Sequence, residues 1–239
     1  MCIRDRHAIF VYSLDTAKTT QVTDGLSDAL APAFDKTGKY LYFLASTNVA
    51  LSGGWIDMTS IGHPVTSAIY VAVLRKDLPS PLAPLSDEEK KDDADKDKEK
   101  DKDKDKEKDK DKDKKDKDAV KVTIDFDNIQ QRILAVPLPE KNYFAALPGK
   151  ENILFAIDRP IVQTSFGPPP LAVTKFDFKT RKTEEIVSGI SSYNLSDNGE
   201  KMLIRQGEQW IITASETPLK PGDGTLKMAD MQVLSLIHI

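Results

Sequence analysis

The side chains best suited to chemistry in this sequence lie in one unusual loop and on one pair of neighbouring strands. The loop, residues 48–65, contains two adjacent glycines and two ring side chains, Trp55 and His63. Either these rings line a path for a peptide or a contact between repeats, or the loop packs against its own sheet, which is the interpretation we favour. Arg205 and Trp210 lie on consecutive strands. We expect Arg205 to pair with a carboxylate, with a place on the peptide path as the alternative, and we expect Trp210 to lie in the core. These residue types suit binding rather than the making of bonds.

Patterns typical of catalytic or metal sites are absent from the sequence. The histidines, His7, His63 and His238, are isolated, and none has a partner at the spacing of a zinc site. Residues 189–193 (GISSY) lack the second glycine of a serine nucleophile elbow. No Gly-rich phosphate loop occurs either. We therefore predict no catalytic residue, no cofactor-binding residue and no metal ligand on this chain.

Two parts of the chain repeat one pattern: an apolar run, a polar turn, a second short run and a Gly-marked hairpin. The first copy covers residues 11–25 and 34–43, and the second covers residues 174–189 and 195–204. A unit of this kind cannot bury its apolar faces alone and has to stack against neighbours of its own kind. Short strands joined by such turns are typical of propeller blades. We predict an all-β fold, a partial β-propeller with TolB-like or WD40-like blades of short antiparallel strands.

Strand patterns recur at short intervals, with turn residues between them and no long stretch of helical apolar period. The strand at 67–74 (SAIYVAVL) is continuously apolar and is expected to be buried. The predicted strands are 7–14, 39–46, 67–74, 120–126, 132–138, 143–147, 152–157, 171–178, 184–187, 201–205 and 209–214.

A charged tract at 87–118 contains 14 Lys and 17 Asp or Glu residues. Neither a helix nor a strand would bury apolar surface there, so we predict a disordered, hydrated insertion in a surface loop. A metal-binding or partner-binding role is the alternative. The preceding residues, 78–85, are rich in proline, which favours extended polyproline geometry that leaves the sheet. The rest of the chain has 20 basic and 21 acidic residues, so no basic surface indicates binding to nucleic acid.

Both ends of the chain depart from the blade pattern. We interpret them as non-native sequence of the kind produced when sequencing-adapter DNA is translated, with a terminal strand at each end as the alternative. On this interpretation the chain is an internal fragment. Its predicted parts are the non-native ends 1–6 and 235–239, blades at 7–77 and 119–214, the Pro-rich and charged insertion at 78–118, and an exit linker at 215–234.

The single cysteine, Cys2, excludes an intrachain disulfide and permits a reducing compartment. No apolar run approaches the roughly 20 residues that a membrane-spanning helix needs. We expect a cytoplasmic protein without a membrane span. Export is the alternative, because an internal fragment would lack the natural N-terminus.

Four stretches resemble one protein family: residues 70–84 with the insertion that follows, 124–133 (IDFDNIQQRI), 142–143 and 222–228. Together they resemble the second β-propeller of tricorn-like proteases, serine peptidases of the tail-specific protease (S41) superfamily. The spacing Asp-x-Asp-x-Ile-x-x-Arg within 125–132 and the LPSPL segment are the specific features. The blade turns are shared with many propellers.

The resemblance implies that two propellers precede a PDZ domain and a C-terminal catalytic domain, and that the propellers gate peptide entry and product exit. It also implies acyl transfer by a Ser nucleophile with a His base and an oxyanion hole. No position of this chain matches those catalytic residues, so none is assigned here. Expected partners are peptides or unfolded polypeptides, and the full-length protein is expected to be a homo-oligomer.

Two other functions fit a propeller of this kind. One is the propeller of a prolyl-oligopeptidase-like peptidase, which requires a Gly-x-Ser-x-Gly motif downstream. The other is a non-enzymatic, TolB-like binding propeller. Whichever function holds, an incomplete ring leaves sheet edges unpaired, and we expect this chain to self-associate or to be poorly soluble.

Overall fold

The computed structural model describes residues 6–48, 65–84, 120, 122–161, 169–220, 222 and 224–228. Within them lie thirteen strands and one short 3-10 helix, and every strand pairing is antiparallel. Among these residues, no helix is long and apolar enough to cross a membrane.

Three sheets are up-and-down meanders in which each strand pairs with its neighbour in the sequence. The first blade consists of β3 (Asp28–Phe34), β4 (Tyr40–Ser46), β5 (Ala68–Val73) and β6 (Ile133–Ala135). The second blade consists of β7 (Asn142–Pro148), β8 (Ile153–Arg159), β9 (Leu171–Asp177) and β10 (Lys182–Ile190). The third blade consists of β11 (Ser192–Leu195), β12 (Lys201–Gln206) and β13 (Gln209–Ala214). Ahead of them, β1 (Phe10–Ser13) and β2 (Lys18–Gln21) form an N-terminal hairpin.

The second strand of each four-stranded blade is apolar on both faces, because each face packs against a different neighbour. On β8, Leu154 belongs to the cluster shared with the first blade, whereas Phe155 belongs to the cluster shared with the third blade. On β4, Tyr42 faces the second blade and Leu41 faces the N-terminal hairpin. Successive side chains of a strand point to opposite faces, so a sheet between two others needs a continuous apolar run. The sheets stack in this way without closing a ring, which confirms the predicted partial β-propeller.

The sequence repeat spans a junction between blades rather than one blade. Each copy covers the last two strands of one sheet, then the turn that joins the first two strands of the next sheet and the start of the second of these strands. The turn between those first two strands has the same backbone in both copies. The N–H of Gly38 donates to the carbonyl oxygen of Asp35 at 3.2 Å, and the N–H of Gly199 donates to that of Ser196 at 2.9 Å. Both glycines have left-handed φ values, +70° and +73°, which explains why the repeat is marked by glycine.

One predicted strand, 120–126, is wrong: residues 122–126 carry no strand. They lie beside β5 through a single backbone hydrogen bond, from the N–H of Asp125 to the carbonyl oxygen of Leu74. A 3-10 helix, Ile129–Arg132, follows. The Arg132 guanidinium donates to the carbonyl oxygens of Val73, at 3.0 Å, and of Asp127, at 2.9 Å. The Asp-x-Asp-x-Ile-x-x-Arg spacing therefore builds a loop that is fastened to the sheet by its arginine.

Three strands, β2, β3 and β11, were not among the strands predicted from the sequence. β2 is four polar residues long (KTTQ) and has no apolar side chain that could alternate. β3 contains Pro32 and a register shift between Leu30 and Ala33, so its side chains do not alternate regularly. β11 is four residues long and half polar. The other predicted strands are present with small differences in their ends, and β5 is as buried as expected.

Parts of the predicted insertion and linker also pack on the sheets. Residues 78–84 leave β5, but Leu82 packs against the cluster between the first and second blades, and the carbonyl oxygen of Ala83 accepts from Arg181 at 2.9 Å. After β13, the N–H of Leu226 donates to the carbonyl oxygen of Trp210 at 2.8 Å. That segment thus lies where a fourth strand of the third blade belongs. The charged tract and both predicted non-native ends, apart from Arg6, lie outside the described residues, and the domain boundaries stay predictions.

Candidate functional site

Of the three residues proposed to contact a peptide, only Arg205 lies among the described residues; Trp55 and His63 lie outside them. Arg205 on β12 pairs in register with Trp210 on β13, and its guanidinium carbon lies 5.7 Å from the centre of the indole ring. Among the residues that the structure describes, no carboxylate contacts this guanidinium, so the expected ion pair is wrong. Trp210 is half-buried rather than part of the core. The pair forms an exposed cation–π contact of the kind that suits binding.

The second strands of the three blades, β4, β8 and β12, all end at the same end of the stacked sheets. The turns that begin these strands lie together at the opposite end, where Lys39 reaches Glu151 at 3.4 Å and Gly199 touches Gly149. The segment that follows β4 therefore begins, at Thr47 and Asn48, at the same end as Arg205.

A cavity of about 300 Å³ opens between the second and third blades. We call it the interblade cavity. Four elements line it: Phe144 comes from β7, Arg159 from the end of β8, Leu171 from β9 and Tyr193 from β11. Arg159 ends a second strand, so the cavity lies near the end of the sheets that carries Arg205.

The Arg159 side chain is held in place by an aromatic ring. Its guanidinium carbon lies 4.0 Å from the centre of the Phe144 ring, well within cation–π range. Phe144 itself is 48% exposed, in the bulge of β7 where the register shifts between Tyr143 and Ala145. The Nε atom of Arg159 is buried and has no hydrogen-bond partner among the described residues. A guanidinium can only donate, so this atom is an unsatisfied donor.

Tyr193 supplies a second unsatisfied group in the same wall. The side chain is only 8% exposed, and its ring packs 6.1 Å from the ring of Phe155. The hydroxyl is buried and lacks a hydrogen-bond partner within the described part of the chain. Burial raises the pKa of Tyr193 well above its usual value, so the phenol stays protonated and can donate.

Sequence reasoning did not find this cavity. Phe144, Arg159 and Tyr193 lie on three different strands, and no local spacing connects them. Their proximity results from the bulge in β7 and from the stacking of two sheets. An arginine at the end of an otherwise apolar strand, as in the ILFAIDR sequence of β8, is the only local signal that could have drawn attention to the site.

His7, which the sequence left without a partner, lies against a buried carboxylate. Its Nδ1 lies 2.7 Å from Oδ1 of Asp28, and its backbone N–H donates to the same oxygen at 2.6 Å. Asp28 is 4% exposed. The pair fastens the chain ahead of β1 to the first blade. Across the described ranges, no group of three or more His, Cys, Asp or Glu side chains is placed to hold a metal ion.

At the opposite end of the sheets, ion pairs join the three blades. They link turns or segments of different blades: Lys36 with Asp197 at 4.0 Å, Lys39 with Glu151 at 3.4 Å, and Lys150 with Glu216 at 3.0 Å. The hydrogen bond to Glu216 raises the pKa of Lys150. Because these side chains are largely exposed, each pair contributes little stability and the set mainly orients the blades.

A family model described as the tricorn protease second beta propeller domain matches residues 4–216. No curated protein matches the chain. Among solved structures, the crystal structure of the tricorn protease is similar, with a TM-score of 0.63 and 18% sequence identity over 95% of this chain. The match covers 20% of that protein's chain, so this chain spans about a fifth of its length. At this identity the likeness shows the fold alone, whereas the family model covers most of the chain. The chain therefore belongs to the family of tricorn protease second β-propeller domains.

Proposed function

We propose that this chain is a non-catalytic β-propeller segment of a tricorn-like serine protease. In the proposal it gates the passage of peptides to or from a Ser/His peptidase domain of the tail-specific superfamily elsewhere in a longer protein. The single observation that carries the proposal is the family match over residues 4–216. The short share of the similar structure that this chain covers, 20%, supports the view that the catalytic part lies in another region.

The packing of the blades explains how such a segment can act as a filter. Each four-stranded sheet is held between its neighbours by two apolar faces, and the contacts contain fully buried side chains, as Leu154 and Phe155 illustrate. A stack of this kind is rigid, so openings between or inside the blades select ligands by size. Short peptides and unfolded polypeptides pass such an opening more readily than folded proteins do. We further expect a homo-oligomer and a cytoplasmic location, with export as the alternative.

The proposal is tested on the full-length gene product, with the 239-residue chain as the comparison. A fluorophosphonate probe, which labels activated serines, should label the full-length protein and leave this chain unlabelled. Fluorogenic peptides should be cleaved by the full-length protein only. Serine-inhibitor-sensitive turnover by this chain alone would overturn the proposal. So would a longer protein that carries an α/β-hydrolase elbow or that has no peptidase domain.

Gating itself is tested by narrowing the inner edge of the propeller in the full-length protein. Leu30 is 43% exposed on the first strand of its blade, and Leu30→Trp adds bulk there. We expect this variant to slow cleavage of a long unfolded polypeptide more than cleavage of a tripeptide. Lys182→Trp, an exposed position on the fourth strand of the second blade, is the control and should change neither rate. Equal slowing of both substrates by Leu30→Trp would contradict a size filter.

A further inference from the structure

We propose that the interblade cavity is a binding site for a carboxylate group whose adjoining side chain is apolar. No known activity of the chain depends on this site, and the inference starts from the unsatisfied donors. Arg159 Nε and the Tyr193 hydroxyl are both buried, both lack an acceptor in the described part of the chain, and both belong to the wall of one cavity.

Two donors without acceptors make the cavity selective for an acceptor ligand. Buried polar groups usually have hydrogen-bond partners in native proteins. A buried group without a partner costs free energy, and a ligand that supplies the partner offsets this cost. Neither group can change its role, because a guanidinium has no acceptor and the raised pKa of Tyr193 keeps the phenol protonated. A carboxylate accepts several hydrogen bonds at once and pairs with a guanidinium in a charge-assisted geometry. It is therefore the ligand group that matches both donors.

The charges around the cavity favour an anion. Among the residues that the structure describes, no acidic side chain lines it. The carboxylate of the residue directly before Arg159, Asp158, already forms an ion pair with Lys141 at 3.1 Å. Phe144 stacks on the face of the Arg159 guanidinium without neutralising its charge. The positive charge of Arg159 is thus left available to a ligand.

The remaining wall has three apolar and three polar residues, the polar ones being Ser191, Ser192 and Asn194, and the space is of limited size. Ile157, Pro169 and Leu171 contribute carbon atoms to a volume of about 300 Å³. That volume is at the lower end of small-ligand sites and suits one residue with its carboxylate rather than a folded partner. Three sources share this chemistry: the C-terminus of a peptide, an acidic side chain and a free small acid. The choice of a peptide C-terminus rests on the proposed function, whereas the carboxylate itself does not.

Calorimetric titration of the 239-residue chain tests the inference with matched ligands. N-acetyl-leucine should bind, and N-acetyl-leucinamide, which lacks the charge, should bind about tenfold more weakly or worse. N-acetyl-glycine tests the apolar wall and should also be weaker. The peptide Ala-Ala-Leu and its C-terminal amide test the peptide source, and a doubly blocked aspartate tests an acidic side chain. Equal binding of N-acetyl-leucine and its amide, or binding of neither, would overturn the inference.

Variants assign the effect to the two donors. Arg159→Gln should weaken N-acetyl-leucine binding by about tenfold or more, and Tyr193→Phe by several-fold. Arg159→Lys keeps the charge without the planar donor pattern, so intermediate binding is expected even if the Gln variant does not fold. Arg75→Gln, an exposed arginine on the first blade that does not line the cavity, is the control and should bind as the parent chain does. Unchanged binding by folded Arg159→Gln or Arg159→Lys would refute the site.

The two proposals fail separately. Acid-selective binding in a protein whose full-length form carries no peptidase domain would remove the proposed function and leave the carboxylate site. If the probe labels a peptidase in the full-length protein but N-acetyl-leucine and its amide bind equally well, the proposed function stands and the carboxylate site is removed.

Discussion

Gly199 of the third blade lies directly against the backbone of Gly149 in the second blade. A Cβ atom built on Gly199 would lie 2.9 Å from the carbonyl carbon of Gly149, closer than real Cβ contacts allow. The φ of Gly199 is +73°, a conformation that residues with side chains rarely adopt. One glycine therefore serves both the turn of a blade and the fit between blades.

Gly199→Ala should destabilise the chain through both effects. The left-handed conformation costs about 1–2 kcal/mol for a residue with a Cβ, and the backbone clash adds about 1–3 kcal/mol. Gly207→Ala is the matched control: its φ is +59°, but nothing lies within 4 Å of its added Cβ. It should show the conformational cost alone. Urea unfolding followed by tryptophan fluorescence gives both free energies, and equal losses would contradict the contact between blades.

Phe155→Ala should be among the most damaging core substitutions. Phe155 is fully buried in the cluster shared by the second and third blades, so truncation leaves a cavity that neither sheet can fill alone. We expect a loss of about 3–5 kcal/mol in the free energy of unfolding. Phe10→Ala removes a ring that is 55% exposed and should cost about 0.5 kcal/mol or less. A small loss at Phe155, measured in the same urea titration, would show that the blades do not pack as described.

Asp177 should make the chain less stable in acid. Partial burial raises the pKa of Asp177. Hydrogen bonds from the Thr180 hydroxyl and from the backbone N–H groups of Lys179 and Thr180, together with the charge of Lys175, outweigh that effect, so the pKa lies below its ordinary value of 3.8. A lowered pKa in the folded state stabilises the fold at pH values above 3.8. That contribution is lost as the pH falls from 3.8 through the folded-state pKa.

Asp177→Asn provides the measurement for this pH dependence. The difference in unfolding free energy between the parent chain and the variant should be constant from pH 7 to about pH 5 and shrink below pH 4. Asp197→Asn is the control for the substitution itself, because the Asp197 carboxylate is fully exposed and has only a 4.0 Å ion pair, so its replacement should cost little stability. A difference that grows in acid would have the wrong sign for the described hydrogen bonds.

Tyr12→Lys should reduce self-association of the 239-residue chain. The outer face of β1 exposes Phe10, Tyr12 and Leu14, at 55%, 57% and 88%, and within the described residues β1 pairs only with β2. Edges of this kind pair with other chains, and a lysine on them opposes pairing. Light scattering after size exclusion should show association of the parent chain and less of it for Tyr12→Lys. A monodisperse parent monomer would contradict this expectation. Gln131→Lys, an exposed position on the 3-10 helix away from this hairpin, is the control and should associate as the parent does.

Local pattern was sufficient to predict the architecture. The continuous apolar run of β5 predicted a buried strand, and the glycines at 38 and 199 marked equivalent turns. Strand formation and turn geometry depend on residues close in sequence, because the period of two and the left-handed φ are properties of a few consecutive residues. The irregular β3 escaped prediction because its proline and register shift hide that period.

The sequence by itself determined an all-β chain of repeating sheets and, through the spacing that ends at Arg132, a resemblance to one family. Only the tertiary structure decided that Arg205 stacks on Trp210, and that Arg159 and Tyr193 meet at one cavity with their donors unsatisfied. The reason is physical: strands and turns follow from local spacing, whereas a site between blades follows from the register of each sheet and from how the sheets stack, which no short stretch of sequence encodes.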